Sequence, residues 1–303
     1  MIPRGPLDQY AAGSGVDRRT AGQNVVLTYI LKLLFDDASS RRLSESLAFK
    51  GGTCLRKMFF GKPSRFSTDL DFTATRLSYE EIKTELGQVL DGRSFYGLEL
   101  RIGEWYDSDG RGRDTCGVRV NYQSELLRGE FKLQVSLRER PSLPPRQLPL
   151  LEESESYFRW LEFGTFSVPC LAREEIIAEK LRAAFQRTRA RDLYDLYFNT
   201  QSYYNKEAVK ALAVIKRWNV REEFDGNALL RKIRDEEYNW DDLKPFVRRS
   251  SWVEPRRILS TVESEYAYLI ELDEALDQIS RDSRHHRKSR LVDEVVSRLA
   301  STV

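Results

Sequence analysis

The stretch FKGGTCLRKMFFGKPSRFSTDLDF, residues 49–72, decides the fold. It sets a Gly51-Gly52-Thr53 turn ahead of a basic and aromatic run and closes on Asp69-Leu70-Asp71. Residues 47–50 read as a short apolar strand ending at the two glycines, a strand-to-helix turn signal. Glycines at that place let the backbone come close to a phosphate, and a helix starting there turns its N–H groups toward an anion. Thr53 can cap that helix or donate to a phosphate. Residues 54–60 carry Arg56 and Lys57, either of which can reach triphosphate oxygens. Residues 69–73 alternate as a strand, so Asp69 and Asp71 project to one side while Leu70 points into the core. Two carboxylates that close disfavour joint ionisation, and a divalent cation removes the penalty. Mg²⁺ is commonly held by one or two carboxylates together with substrate phosphate oxygens. Each feature alone has a plain reading: a tight turn, a surface lysine, a solvent-facing strand. Their order and spacing favour a metal–nucleoside triphosphate site.

Composition narrows the classes. The chain has 303 residues, 32% of them charged, with a formal net charge of +2. That describes a water-soluble protein with material for one large domain or two ordinary ones. No apolar run approaches the length of a bilayer span. The opening MIPRGPLDQYAAGSG lacks the apolar core of a secretory signal and reads as a flexible lead-in, so the expected location is the cytoplasm, without membrane contact. Cys54, Cys116 and Cys170 are scattered and read as buried small residues in a reducing compartment. The two histidines, His285 and His286, are adjacent, which argues against a zinc centre or a Ser–His–Asp triad. Bases crowd residues 182–191 and 284–290, faces suited to a polyanion or simply to solvent. The second cluster is either a disordered basic linker or an RNA grip.

Periodicity gives the organisation. Apolar spacing predicts a helix over 21–36. Ser78 followed by Glu81 is a capping-box pattern opening a helix over 78–90. Alternation predicts strands over 98–103, 118–122 and 131–137, with another near 163–168. Residues 141–149 form a proline-rich connection. Beyond residue 171 nearly everything reads as helix: 172–188, 191–199, 206–218, 226–237, 254–279 and 291–299. The class is α+β, with a mixed sheet flanked by helices in an N-terminal domain (1–168) and a helical C-terminal domain (169–303). If 172–197 were one continuous helix, Lys180, Arg187, Arg191 and Asp195 would share a face. Arg191 and Asp195 would then form an i, i+4 pair. Such a face suits a polyphosphate or an RNA backbone; the plainer alternative is a surface ion pair.

Gly51-Gly52-Thr53, Leu55, Lys57 and the string Arg65-Phe66-Ser67-Thr68-Asp69-Leu70-Asp71-Phe72 resemble the first motif of the AbiEii/AbiGii-type nucleotidyltransferases. These are toxins of bacterial toxin–antitoxin systems, the MenT toxins among them, in the DNA polymerase β-like nucleotidyltransferase superfamily. Glu179-Lys180-Leu181-Arg182-Ala183 and Arg191-Asp192-Leu193-Tyr194-Asp195-Leu196 resemble the later motifs. The resemblance implies a polymerase-β-like sheet and in-line transfer of a nucleoside monophosphate from a nucleoside triphosphate. Asp69 and Asp71 would hold Mg²⁺ (or Mn²⁺), and Gly51, Gly52, Thr53 and Lys57 would cradle the phosphates. Ser67 would reach a γ-phosphate, or be a point where phosphorylation repels the nucleotide. Lys180 would neutralise the leaving pyrophosphate and Asp192 would act with it, Asp195 being a secondary candidate. The implied acceptor is RNA, foremost the tRNA 3′ end, with blocked translation and growth as the outcome. The implied partner is a cognate antitoxin of the AbiEi or MenA kind. Phe59, Phe60, Phe66 and Tyr194 either stack bases or fill the core. The superfamily usually carries a third carboxylate on a neighbouring strand. Here Gln134 stands at the expected place, with Glu130 on the same side of the strand as a substitute. That departure favours one other reading, a non-catalytic RNA-binding protein on a transferase scaffold; a transferase acting on a small molecule or a protein hydroxyl, with the same metal and triphosphate site, is also open.

Overall fold

The computed structural model describes residues 1–107, 114–152 and 155–301. The chain divides into two compact units. One comprises Met1–Pro141, Pro145–Cys170 and Pro245–Ser251; the other comprises Ser142–Pro144, Leu171–Lys244 and Trp252–Val303.

The first unit holds strands β1 (Leu47–Lys50), β2 (Asp69–Ala74), β3 (Ser94–Phe95), β4 (Leu98–Tyr106), β5 (Thr115–Gln123), β6 (Arg128–Ser136), β7 (Arg146–Pro149) and β8 (Ser167–Cys170). Among the described residues these form one sheet in the order β3-β4-β5-β6-β2-β1-β8-β7. It is mixed: β2 runs antiparallel to β1 and parallel to β6, and β1 runs parallel to β8. Its helices are α1 (Arg4–Ser14), α2 (Arg18–Phe35), α3 (Arg41–Ser44), α4 (Gly51–Cys54) and α5 (Tyr79–Leu90). The α+β architecture expected from the sequence is the one observed. The capping box is present as well, the Ser78 N–H donating to Glu81 Oε2 at 2.9 Å.

Two expectations for this unit change. The opening residues are not a loose lead-in but helix α1, with Ile2, Leu7 and Tyr10 buried. Apolar residues at 7, 10 and 11 supply a helical stripe that the flanking glycines and prolines mask. The proline-rich 141–149 is not a bare connection either. Residues 146–149 are the edge strand β7, where a proline is tolerated because one side needs no donor.

The second unit is helical: α6 (Arg173–Gln186), α7 (Ala190–Asn199), α8 (Lys206–Asn219), α9 (Gly226–Asp235), α10 (Pro255–Glu265), α11 (Glu274–Arg281) and α12 (Ser289–Ala300). The side chains of Asn205, Asp225 and Asp273 cap α8, α9 and α11. That last cap explains why 254–279 is not one helix. Asp273 starts a new one by accepting from Leu276 N at 2.8 Å. Nor is 172–197 continuous: Arg187 is extended, with φ −149° and ψ 163°. The basic stretch after α11 is an ordered joint rather than a disordered linker. His286 stacks on Trp218 with ring centroids 3.9 Å apart, and Lys288 N donates to Asp282 Oδ2 at 2.7 Å. Among the described residues no helix is long and apolar enough to cross a membrane.

A polar network lies inside the first unit. The Lys57 ammonium donates to Asn24 O at 3.0 Å, Asn24 Oδ1 at 3.1 Å, Thr28 Oγ1 at 2.8 Å and the Tyr157 hydroxyl at 3.2 Å. Asn24 also donates to the Tyr10 hydroxyl at 2.8 Å. The lysine thus ties α1, α2 and the turn Ser156–Trp160 to the chain that follows the glycine turn. Burial disfavours its charge and pulls its pKa from 10.5 down to about 7. The unfolded chain keeps this proton up to its ordinary pKa, so between those limits it binds one proton more than the folded chain. Stability therefore rises with pH across that window, with a slope of up to about 1.4 kcal/mol per pH unit from this group. Urea unfolding followed from pH 7 to 10 should show this slope in the native protein and a flatter one in Lys57→Met.

Candidate active site

The sheet register assembles one polar face. Across β1, β2, β6, β5 and β4 the paired residues are Lys50, Asp71, Gln134, Gly117 and Tyr106. The neighbouring row is Asp69, Lys132, Arg119 and Glu104. Directly paired residues share a face of the sheet, so the two rows lie side by side, with Asp69 and Asp71 next to each other on β2 and Lys50 beyond Asp71 on β1. The opposite face is core: Leu70, Phe72, Val118 and Leu133 are fully buried. Asp69 and Asp71 are half-buried, as groups that bind something from solution must be.

The glycine turn is built around that pair. Gly51 has φ +79°, a left-handed conformation, and a Cβ there would lie 3.0 Å from Asp71 Cβ and run into its carboxylate. Gly52 is pressed by Arg65, whose guanidinium carbon would sit 3.1 Å from an added Cβ. Thr53 is buried, and its hydroxyl donates to the Asp69 carbonyl at 2.5 Å. It fixes the turn to β2 rather than facing a ligand. Gln23 holds the entry to β2 beside β6, its Nε2 donating to Thr68 O at 2.9 Å and Glu130 O at 3.2 Å. After α4 the helix widens into a π-type turn at Leu55–Phe60, a distortion often found at functional sites.

That turn sends both cations of the stretch inward. Lys57 is held in the interior network and does not join the acidic pair, so its expected phosphate contact gives way to a structural role. Arg56 is 1% exposed, pairs with Glu155 and lies with its guanidinium 3.8 Å from the Phe66 ring centre. Glu155 also binds Arg248 at 3.2 Å. Phe66 and Tyr194 are buried core residues. Ser67 is half-buried two residues before Asp69. Glu130, considered as a third acid, is paired with Arg119 at 2.7 Å, and Gln134 stands directly across from Asp71. Two residues at this face went unassigned in the sequence reading. Arg65 lay inside the quoted motif without a role. Tyr106 packs over Gly117, where an added Cβ would meet its ring at 2.5 Å; the small residue in the otherwise bulky strand TCGVRVNYQ was the available signal. Burial, then the charges of Asp69 and Asp71, raise the Tyr106 hydroxyl to about 12, so it is a proton donor at neutral pH.

The later motifs form a second cluster, within the helical unit. Lys180 Nζ lies 3.2 Å from Asp192 Oδ1 and 2.7 Å from Asp195 Oδ2. Arg187, leaving the end of α6, grips Asp192 with two bonds: Nε to Oδ2 at 2.8 Å and Nη2 to Oδ1 at 3.1 Å. Burial would raise the Asp192 carboxyl, but Lys180 and Arg187 outweigh it and hold it well below the usual carboxylate range. Asp195 thus pairs with Lys180. The break after α6 is what brings Arg187 back onto the first turn of α7.

Two stability predictions follow from these contacts. Gly51→Ala forces an alanine into left-handed backbone and against Asp71; the expected loss is about 1–2 kcal/mol, read by urea unfolding. Lys180→Met leaves two buried carboxylates short of a cation, and the expected loss is about 3–5 kcal/mol, read in the same assay.

Comparison with known proteins identifies the family. The family model of the AbiEii nucleotidyl transferase toxin, of a type IV toxin–antitoxin system, matches residues 32–290. Among solved structures, the nucleotidyltransferase toxin MenT4 of Mycobacterium tuberculosis H37Rv matches with a TM-score of 0.80 and 25% identity over 99% of either chain. The Helicobacter pylori protein JHP933 matches with a TM-score of 0.45 and 18% identity over 95% of this chain and 100% of its own. No curated protein matches. With the family model covering most of the sequence and the MenT4 fold shared over its length, the chain belongs to the AbiEii nucleotidyltransferase toxins of type IV toxin–antitoxin systems, and a cognate antitoxin is part of that system.

Proposed function

We propose that this toxin transfers a nucleoside monophosphate from a nucleoside triphosphate to the 3′ end of RNA, foremost the tRNA acceptor end, in the bacterial cytoplasm. Translation and growth stop in consequence, unless the antitoxin restrains it. The observation that carries the reading is the pair Asp69 and Asp71 on one open strand face, beside a glycine whose missing Cβ makes room for Asp71. These residues fit a divalent cation: two carboxylates at that spacing need positive charge, and the adjoining backbone admits phosphate oxygens. Mg²⁺ or Mn²⁺, when bound, supplies charge neutralisation for the transferring phosphoryl group and the departing pyrophosphate.

The protein does the positioning. Asp69 and Asp71 hold the cation, Gly51 and Gly52 offer close backbone approach, and Ser67 is placed ahead of β2 for a terminal phosphate. An acceptor hydroxyl oxygen bonds the α-phosphorus, the bond from that phosphorus to the bridging oxygen breaks, and pyrophosphate leaves with both electrons of the broken bond. The hydroxyl proton passes to solvent. Lys180 and Asp192 keep the roles that the family motifs give them, with Asp192 and Asp195 fixing the ammonium of Lys180. RNA as acceptor is supported by the family resemblance.

Incubation with α-labelled nucleoside triphosphates, total RNA and total cell protein tests the reading. Label should enter RNA, and Asp69→Asn should lower the rate about 10²-fold or more while keeping the native circular dichroism. Label in protein, or an active Asp69→Asn, would overturn it.

A further inference from the structure

In-line transfer fixes the side from which the acceptor arrives. The new bond forms on the face of the α-phosphorus opposite the leaving pyrophosphate. On the proposed function, on which this inference rests, the polyphosphate lies toward the glycine turn. That turn directly follows Lys50, the β1 partner of Asp71. The attacking hydroxyl must then come from the other side of Asp71, over β6, β5 and β4.

On that side the row of Asp71 carries neutral hydrogen-bonding groups, while the charged Lys132, Arg119 and Glu104 belong to the row of Asp69. Gln134 is the β6 partner of Asp71. Gly117 is the next residue in the row, and it lacks the side chain that would strike the Tyr106 ring, leaving that ring lying across the strand. The Tyr106 hydroxyl lies within reach of the Gln134 side chain, so the phenol and the amide form one polar unit beside Asp71. An amide and a phenol add no third negative charge to the acidic pair. They can accept from and donate to a sugar hydroxyl, but neither is a strong base.

The geometry points to Gln134 and Tyr106 as the subsite for the terminal ribose of the RNA acceptor. The Gln134 amide oxygen accepts from a ribose hydroxyl, and the Tyr106 hydroxyl donates to the 2′-oxygen, leaving the 3′-hydroxyl to attack. The two side chains orient the acceptor and take no proton from it.

The test compares acceptor and nucleotide binding in the full chain. In Tyr106→Phe and in Gln134→Leu, kcat/KM for the RNA acceptor should fall about tenfold. The affinity for a non-hydrolysable nucleoside triphosphate with Mg²⁺, by calorimetry, should stay within about twofold, a split that a general structural defect would not produce. RNA ending in 2′-deoxyribose should be used about tenfold less well by the native enzyme and penalised no further in Tyr106→Phe. Parallel loss of nucleotide affinity would move both residues to the nucleotide pocket and overturn the subsite, as would variants that use RNA like the native enzyme. If the native enzyme labels no RNA at all, the functional reading itself fails and the subsite falls with it.

Discussion

A slip of one residue between β1 and β2 would turn Asp69 and Asp71 into the core and push Leu70 out. The register is therefore the constraint on which the site depends, and several contacts pin it. Phe49 and Phe72, paired across the two strands, pack with ring centroids 5.3 Å apart on the core side. Thr53 bonds the backbone of Asp69, and Gln23 bonds the residue just before it and the neighbouring strand at once. Gly51 completes the arrangement by subtraction, since any side chain there would occupy the space of the Asp71 carboxylate. Local backbone geometry and the electrostatics of the pair are thus one problem with one solution.

The two aspartate pairs of the motif segments contrast with each other. Asp192 and Asp195 are buried, and their charge is met inside the protein by Lys180 and Arg187. A buried arrangement of this kind keeps its cations at fixed positions and loses much if one is removed. Asp69 and Asp71 lie on a half-open strand face, where a cation and a polyphosphate can arrive from solution. One pair orients a lysine; the other is suited to a ligand that comes and goes.

How much of this was legible depends on the range of the contacts. The glycine turn and the acidic strand span about two dozen residues and obey local rules, so residues 49–72 displayed them directly. The fates of Arg56 and Lys57 were hidden because their partners, Glu155, Tyr157 and Arg248, lie far along the chain, and because a π-type turn rotates them away from where a regular helix would put them. Tyr106 was hidden by a register shift between Ile102 and Glu104, which changes the face of every later residue in β4. Arg187 looked helical; only its bonds to Asp192 show why the helix stops.

The most direct test of the central claim, that Asp69 and Asp71 form a cation-dependent nucleoside triphosphate site, is ligand-linked melting of the full chain. The native protein should gain several degrees in Tm when Mg²⁺ and a non-hydrolysable nucleoside triphosphate are added together, and clearly less with either alone. Asp69→Asn should melt normally by itself and lose that gain. An equal gain in Asp69→Asn, or no gain in the native protein at saturating concentrations, would contradict the claim.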